Sequence, residues 1–138
     1  MTDGTGASML SHITIGISDF GRALTFYDGL FAILGLVRKF AAPDPGWAGW
    51  MEGDQPRPLV IITLPHDGAP HLPGNGQMTA FLARDRALVA RAHAFALAHG
   101  GIDEGAPGLR PQYHPDYYGA YFGDPDGNKL CVCCHAAG

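Results

Sequence analysis

Three cysteines, Cys131, Cys133 and Cys134, close the chain in the run C-V-C-C-H. Thiols at such spacing serve as nucleophiles, redox pairs or ligands for soft metals. The run fits C-x-x-C and even the C-x-x-C-H of haem attachment. Its setting argues against both. KLCVCC reads as a strand, where residues i and i+3 point to opposite faces. A redox C-x-x-C opens a helix, whose N-terminus stabilises the thiolate. Haem attachment would want an export signal, and MTDGTGAS lacks the basic and apolar regions of one. The expectation is a buried strand with free thiols in the cytoplasm, Cys131 and Cys133 sharing a face.

The histidines are the next candidates. His12 lies in an alternating apolar segment. His66, His71 and His114 fall in loops, and His93 and His99 fall on a helix, where a surface or boundary position is expected. No H-E-x-x-H, G-x-S-x-G or P-loop pattern occurs, and Gly74-Asn75-Gly76 is too short for a dinucleotide loop. Asp116 and Asp126 read as turn residues. The length of 138 residues suits one domain, and 46% hydrophobic content gives it a core, which excludes global disorder. A net charge of -4 without a basic block excludes nucleic acid as an expected partner. Apolar runs are too short to span a membrane.

The elements that must hold these residues repeat. In LSHITIGI, Ile13, Ile15 and Ile17 point one way, and His12, Thr14 and Gly16 the other. Ser18 or Asp19 is an N-cap, and Phe20, Ala23, Leu24, Tyr27, Phe31 and Leu34 form a helical stripe ending at Gly35. Extended stretches follow at 36–42, 46–52 and 58–64, the last β-branched and central. The second half repeats this. A strand spans 77–83, Asp85 caps a helix with stripe Leu88, Ala92, Phe95 and Ala96, and Gly100 and Gly101 end it. Strands follow near 102–106, 117–123 and 128–135. Asp19 and Asp85 lie 66 residues apart, as do Gly35 and Gly101, and the same shift sets His12 on Met78. The expected fold is α+β. Two β-α-β-β-β modules, about 9–64 and 77–136, join through loop 65–76 in a single domain.

The Ile face of the first strand must meet its helix, so His12 and Thr14 face the concave side of the sheet, with Met78 matching in the second half. A concave sheet lined by aromatic and a few polar groups suits a small ligand. The candidate pocket residues are Thr14, Trp47, Trp50, Tyr113, His114, Tyr117, Tyr118 and Tyr121.

SHITIGISD with its helix, Thr79-Ala80-Phe81 and the close YYGAYFGDPDGNKL resemble the vicinal oxygen chelate superfamily. That group includes glyoxalase I, bleomycin-resistance proteins, fosfomycin-resistance enzymes and extradiol dioxygenases. The resemblance runs from about Leu10 onward. It implies a curved sheet around a pocket, a homodimer, and a divalent metal that chelates two neighbouring substrate oxygens as a Lewis acid. The family's ligand positions fall on His12, Met78 and Cys131, where members usually carry His, His and Glu. With two of three replaced, the leading expectation is a small-molecule-binding protein with a degenerate metal site and no cofactor. One alternative is a metal-dependent lyase or dioxygenase on an oxygen-rich substrate. Another is a soft-metal or thiol site on His12 and Cys131, with Met78 or Cys133 adding a ligand, or with His12 as base for a nucleophilic Cys131.

Overall fold

A computed structural model describes residues 9–138. The leader reading made on residues 1–8 lies outside them. The elements run β1 (His12–Gly16), α1 (Phe20–Leu34), β2 (Leu36–Ala42), β3 (Trp47–Glu52), β4 (Gln55–Thr63), β5 (Thr79–Leu82), α2 (Arg86–Ala98), β6 (Ile102–Leu109), β7 (Tyr118–Gly123) and β8 (Lys129–Cys134). The chain divides into two units between Leu72 and Pro73, inside the loop expected at 65–76. Each unit is one helix and a four-stranded mixed sheet, in the orders β1-β4-β3-β2 and β5-β8-β7-β6. The fold is α+β, two β-α-β-β-β repeats.

In the first unit, β1 pairs in parallel with β4, from His12 opposite Leu59 to Gly16 opposite Thr63. Ile15 and Ile17 are buried and Thr14 is exposed, as the alternation requires. Pro56 and Pro58 precede Leu59, where β1 joins, so their missing N–H groups interrupt no β1–β4 pairing. The buried face of α1 is Ala23, Phe26, Tyr27, Leu30 and Phe31. It is rotated from the expected stripe and takes in Phe26 and Leu30, which continue the i, i+3, i+4, i+7 pattern from Ala23.

In the second unit, β5 pairs in parallel with β8, Thr79 opposite Leu130 and Leu82 opposite Cys133. Here α2 buries Leu88, Val89, Ala92, His93 and Ala96. His93 is therefore a core residue and not the surface or boundary residue expected. Its Nε2 lies 2.9 Å from Asp103 Oδ1, and its ring meets Phe122 edge-on. That contact, followed by the Gly105 N–H, holds the Asp103 carboxyl below its ordinary range. A buried imidazole needs such a partner.

β6 runs to Leu109, past the expected end at 106, and includes Pro107. It is an outer strand of its sheet, where a missing N–H breaks no ladder. Its pairing with β7 shifts register at Asp103/Gly105 and again at Gly105/Gly108.

The repeat is visible in single hydrogen bonds. The Ile17 N–H donates to the Thr63 carbonyl at 3.0 Å, and the Ala83 N–H donates to that of Cys133 at 2.8 Å. Asp19 accepts from the Arg22 N–H and Asp85 from the Leu88 N–H, each three residues on. The helix-end glycines depart by one position: Gly35 and Gly100, not Gly101, take the left-handed conformation. Because both caps leave a helix N–H donor without its acceptor when removed, Asp19→Ala and Asp85→Ala should each cost about 1 kcal/mol. Urea unfolding checks this, and Asp→Ser at either position should recover most of the loss.

Candidate functional site

Trp47 lies on the β3 face turned away from α1, paired with Thr63. Its ring packs edge-on against Phe40 at 4.8 Å and stays 41% exposed, a large apolar surface left for contact. The segment after β4 folds back beside it. The Leu64 N–H donates to the Gly46 carbonyl, and the His71 ring occupies the place a Cβ on Gly16 would take. A cavity of about 730 Å³ results, lined by Pro45, Trp47, Leu64, Pro65 and Pro70, with Ser18, Thr63, His66 and His71 as its polar groups. His12 and Thr14 are exposed at β1, with His12 Nδ1 2.8 Å from Ser11 Oγ.

Trp50, expected beside Trp47, is on the other face. It is 1% exposed, its ring 5.0 Å from that of Phe31, and its Nε1–H donates to Asp28 Oδ1 at 3.1 Å. Asp28 also receives Arg38 at 2.8 Å. Trp50 is thus part of the α1 core and not of a ligand surface. Residues three apart on a strand face opposite ways.

In the second unit the register places Cys131 opposite Tyr121 and Cys133 opposite Gly119, whereas Phe122, opposite Leu130, faces α2. The face turned away from α2 therefore carries Tyr121, Cys131 and Cys133. Tyr117 reaches over Gly119, where any side chain would crowd its ring. Its hydroxyl lies 3.0 Å from that of Tyr121 and 3.5 Å from Cys131 Sγ. Cys133 Sγ lies 3.8 Å from His135 Nε2, and His135 Nδ1 lies 2.8 Å from His114 Nε2. Tyr113 packs its ring 4.9 Å from that of Tyr117 and is largely exposed. Tyr118 pairs with Cys134 and receives the Arg86 guanidinium over its ring, which puts it on the opposite face from Tyr121.

The two thiols are driven apart electrostatically. The neighbouring Cys131 thiol, with Tyr117 and His135 and against desolvation, brings the Cys133 thiol down to about 6. The proximity of Cys133, then burial, pushes the Cys131 thiol up. Burial raises both phenols, Tyr117 and Tyr121. His135 was missed in the sequence; its signal was the period of two from Cys131 through Cys133.

The residues at the family's ligand positions do not suit a hard divalent ion. Met78 is a thioether, 44% exposed, on a more polar recess of about 590 Å³ beside Glu104 and Lys129. Cys131 is a buried thiol bonded to other side chains. Among the described residues no group of three or more His, Cys, Asp or Glu is placed to hold a metal ion, and hard ions want oxygen ligands. Nor, among the described residues, is any helix long and apolar enough to cross a membrane.

Comparison with known proteins covers both units. Residues 9–132 match the Glyoxalase/Bleomycin resistance protein/Dioxygenase superfamily. A glyoxalase/bleomycin resistance protein from Albidiferax ferrireducens T118 is 34% identical, with a TM-score of 0.82 over 92% of this chain and 99% of that one. Two more distant structures share the fold. A family enzyme from Burkholderia phytofirmans PsJN is 19% identical, with a TM-score of 0.69 over 94% of this chain and 100% of its own. Lactoylglutathione lyase from Agrobacterium tumefaciens is 21% identical, with a TM-score of 0.62 over 94% and 95%. No curated relative matches the chain. The family match along both repeats, joined to a relative aligned over nearly its whole length, means that this chain belongs to the glyoxalase/bleomycin resistance protein/dioxygenase superfamily.

Proposed function

We propose that this chain binds a small aromatic molecule bearing an acidic or carbonyl oxygen, in the cavity beside Trp47. The observation that carries the reading is the composition of that cavity. Its volume of about 730 Å³ suits a small ligand, and its wall is indole and proline with two imidazoles on the returning loop. The exposed face of Trp47 offers stacking area, and His66 and His71 offer N–H donors to an oxygen. Members of the superfamily bind small molecules, which supports the reading. Hard-metal chemistry is not part of it, because the side chains at His12, Met78 and Cys131 supply one imidazole and no carboxylate. The homodimer and the cytoplasmic setting expected from the resemblance and the unpaired thiols complete it.

Calorimetric titration with benzoate, 4-hydroxybenzoate and salicylate tests it. One-to-one binding is expected for at least one of them. Trp47→Ala or His71→Ala should weaken it roughly tenfold, about 1.4 kcal/mol, and Tyr113→Ala in the second unit should leave it unchanged. Absence of binding across the series, or binding indifferent to Trp47 and His71, overturns the assignment.

A further inference from the structure

We propose that Cys133 is a reactive nucleophile, set to form a thioether with a small α,β-unsaturated carbonyl compound. This site belongs to the second unit and does not rest on the reading of the Trp47 cavity.

Hydrogen-bond direction carries the argument. The Asp116 backbone N–H donates to His114 Nδ1 at 3.1 Å, and a backbone amide can only donate. The His114 ring proton is therefore on Nε2. It points across 2.8 Å to His135 Nδ1, which must accept. The proton of neutral His135 is then on Nε2, 3.8 Å from Cys133 Sγ. The chain of two imidazoles ends as a donor aimed at sulfur, the arrangement that stabilises charge on a thiolate. Cys131 and Tyr117 beside it also favour its charged form. A structural cysteine in an apolar core has no such donor directed at it.

The phenols indicate the class of electrophile. Tyr117 and Tyr121 share one hydrogen bond, which uses one of their two protons. When Tyr117 is the donor in that bond, the Tyr121 proton is left for an incoming carbonyl oxygen, and a carbonyl conjugated to a double bond uses both features. The sulfur lone pair forms the C–S bond at the β-carbon, and the C=C pair moves toward the α-carbon and carbonyl oxygen. The proton given up by the thiol returns at the α-carbon. Nothing is oxidised or reduced overall. At 4% exposure, Cys133 admits only a small reagent past the Tyr117 ring.

The test uses methyl vinyl ketone at neutral pH, followed by intact mass and by peptide mapping. The full native chain should take up one equivalent at Cys133, roughly tenfold faster than the same cysteine in the urea-unfolded chain. Burial without activation gives the reverse order, so the comparison separates reactivity from exposure. His135→Phe should bring the rate to that of the unfolded chain or below, and His135→Gln, which keeps an N–H donor, should restore much of it. Circular dichroism confirms that each variant is folded. Native labelling slower than unfolded labelling, first addition at Cys131 or Cys134, or a His135→Phe rate equal to wild type overturns the proposal.

Discussion

Trp50→Ala is expected to destabilise the chain by about 3–5 kcal/mol, the cost of removing a fully buried aromatic side chain. Trp50 is the largest fully buried side chain among the described residues. It fills the space between β3 and α1 against Tyr27 and Phe31, so truncation leaves a cavity that a sheet and a helix cannot close. It also removes the donor that Asp28 receives from the indole. Trp50→Phe keeps most of the volume and loses that hydrogen bond, for about 1 kcal/mol plus some packing. Trp47→Ala, on the exposed face, should cost far less, within about 1 kcal/mol. Urea unfolding of the three variants ranks them. Equal losses for Trp47→Ala and Trp50→Ala would contradict the opposite-face assignment.

Asp124→Ala comes next, with an expected loss of about 3 kcal/mol. This carboxylate is 1% exposed. It accepts from the backbone N–H groups of Asp126 and Asn128 at 2.9 and 2.8 Å, and from Asn128 Nδ2 at 2.8 Å. Alanine strands three donors in the turn that launches β8. Asp124→Asn keeps an acceptor for the two backbone donors and should lose about 1 kcal/mol, chiefly from charge. Asp116→Ala is the contrast. Its carboxylate is half exposed, 4.0 Å from Arg86, and an ion pair of that kind contributes about 0–1 kcal/mol. Thermal or urea unfolding should order them Asp124→Ala, Asp124→Asn, Asp116→Ala.

The fold was legible because its signals are local and doubled. Asp19 and Asp85 cap helices with the same hydrogen bond, and Ile13, Ile15 and Ile17 declare the buried side of β1. The site was less so. WAGWME has no alternation of its own, and the orientation of β3 is settled by α1, which buries Trp50 and leaves Trp47 out. The odd spacing of those tryptophans already forbade one face for both. The adjacent pair Tyr117 and Tyr118 carried the same warning. Asp126 reads as a turn residue, and turn residues are ordinarily solvated; the burial of Asp124 in the same turn follows from the backbone closing around it. The His114–His135 contact joins residues 21 apart, and only the pairing of β7 with β8 brings their segments together.

The outer strands have a consequence for behaviour at high concentration. A sheet that ends in an unpaired strand offers a template on which another molecule can extend it. β2 ends one sheet carrying Arg38 and Lys39, and β6 ends the other carrying Asp103, Glu104 and Pro107 with two register shifts. A chain docking on β2 would have to strip water from two cations, and one docking on β6 would meet two carboxylates, a missing donor and a broken ladder. Extension of the sheets from β2 or β6 is therefore opposed, and neutralising Arg38 and Lys39 together is the change most apt to permit it on β2.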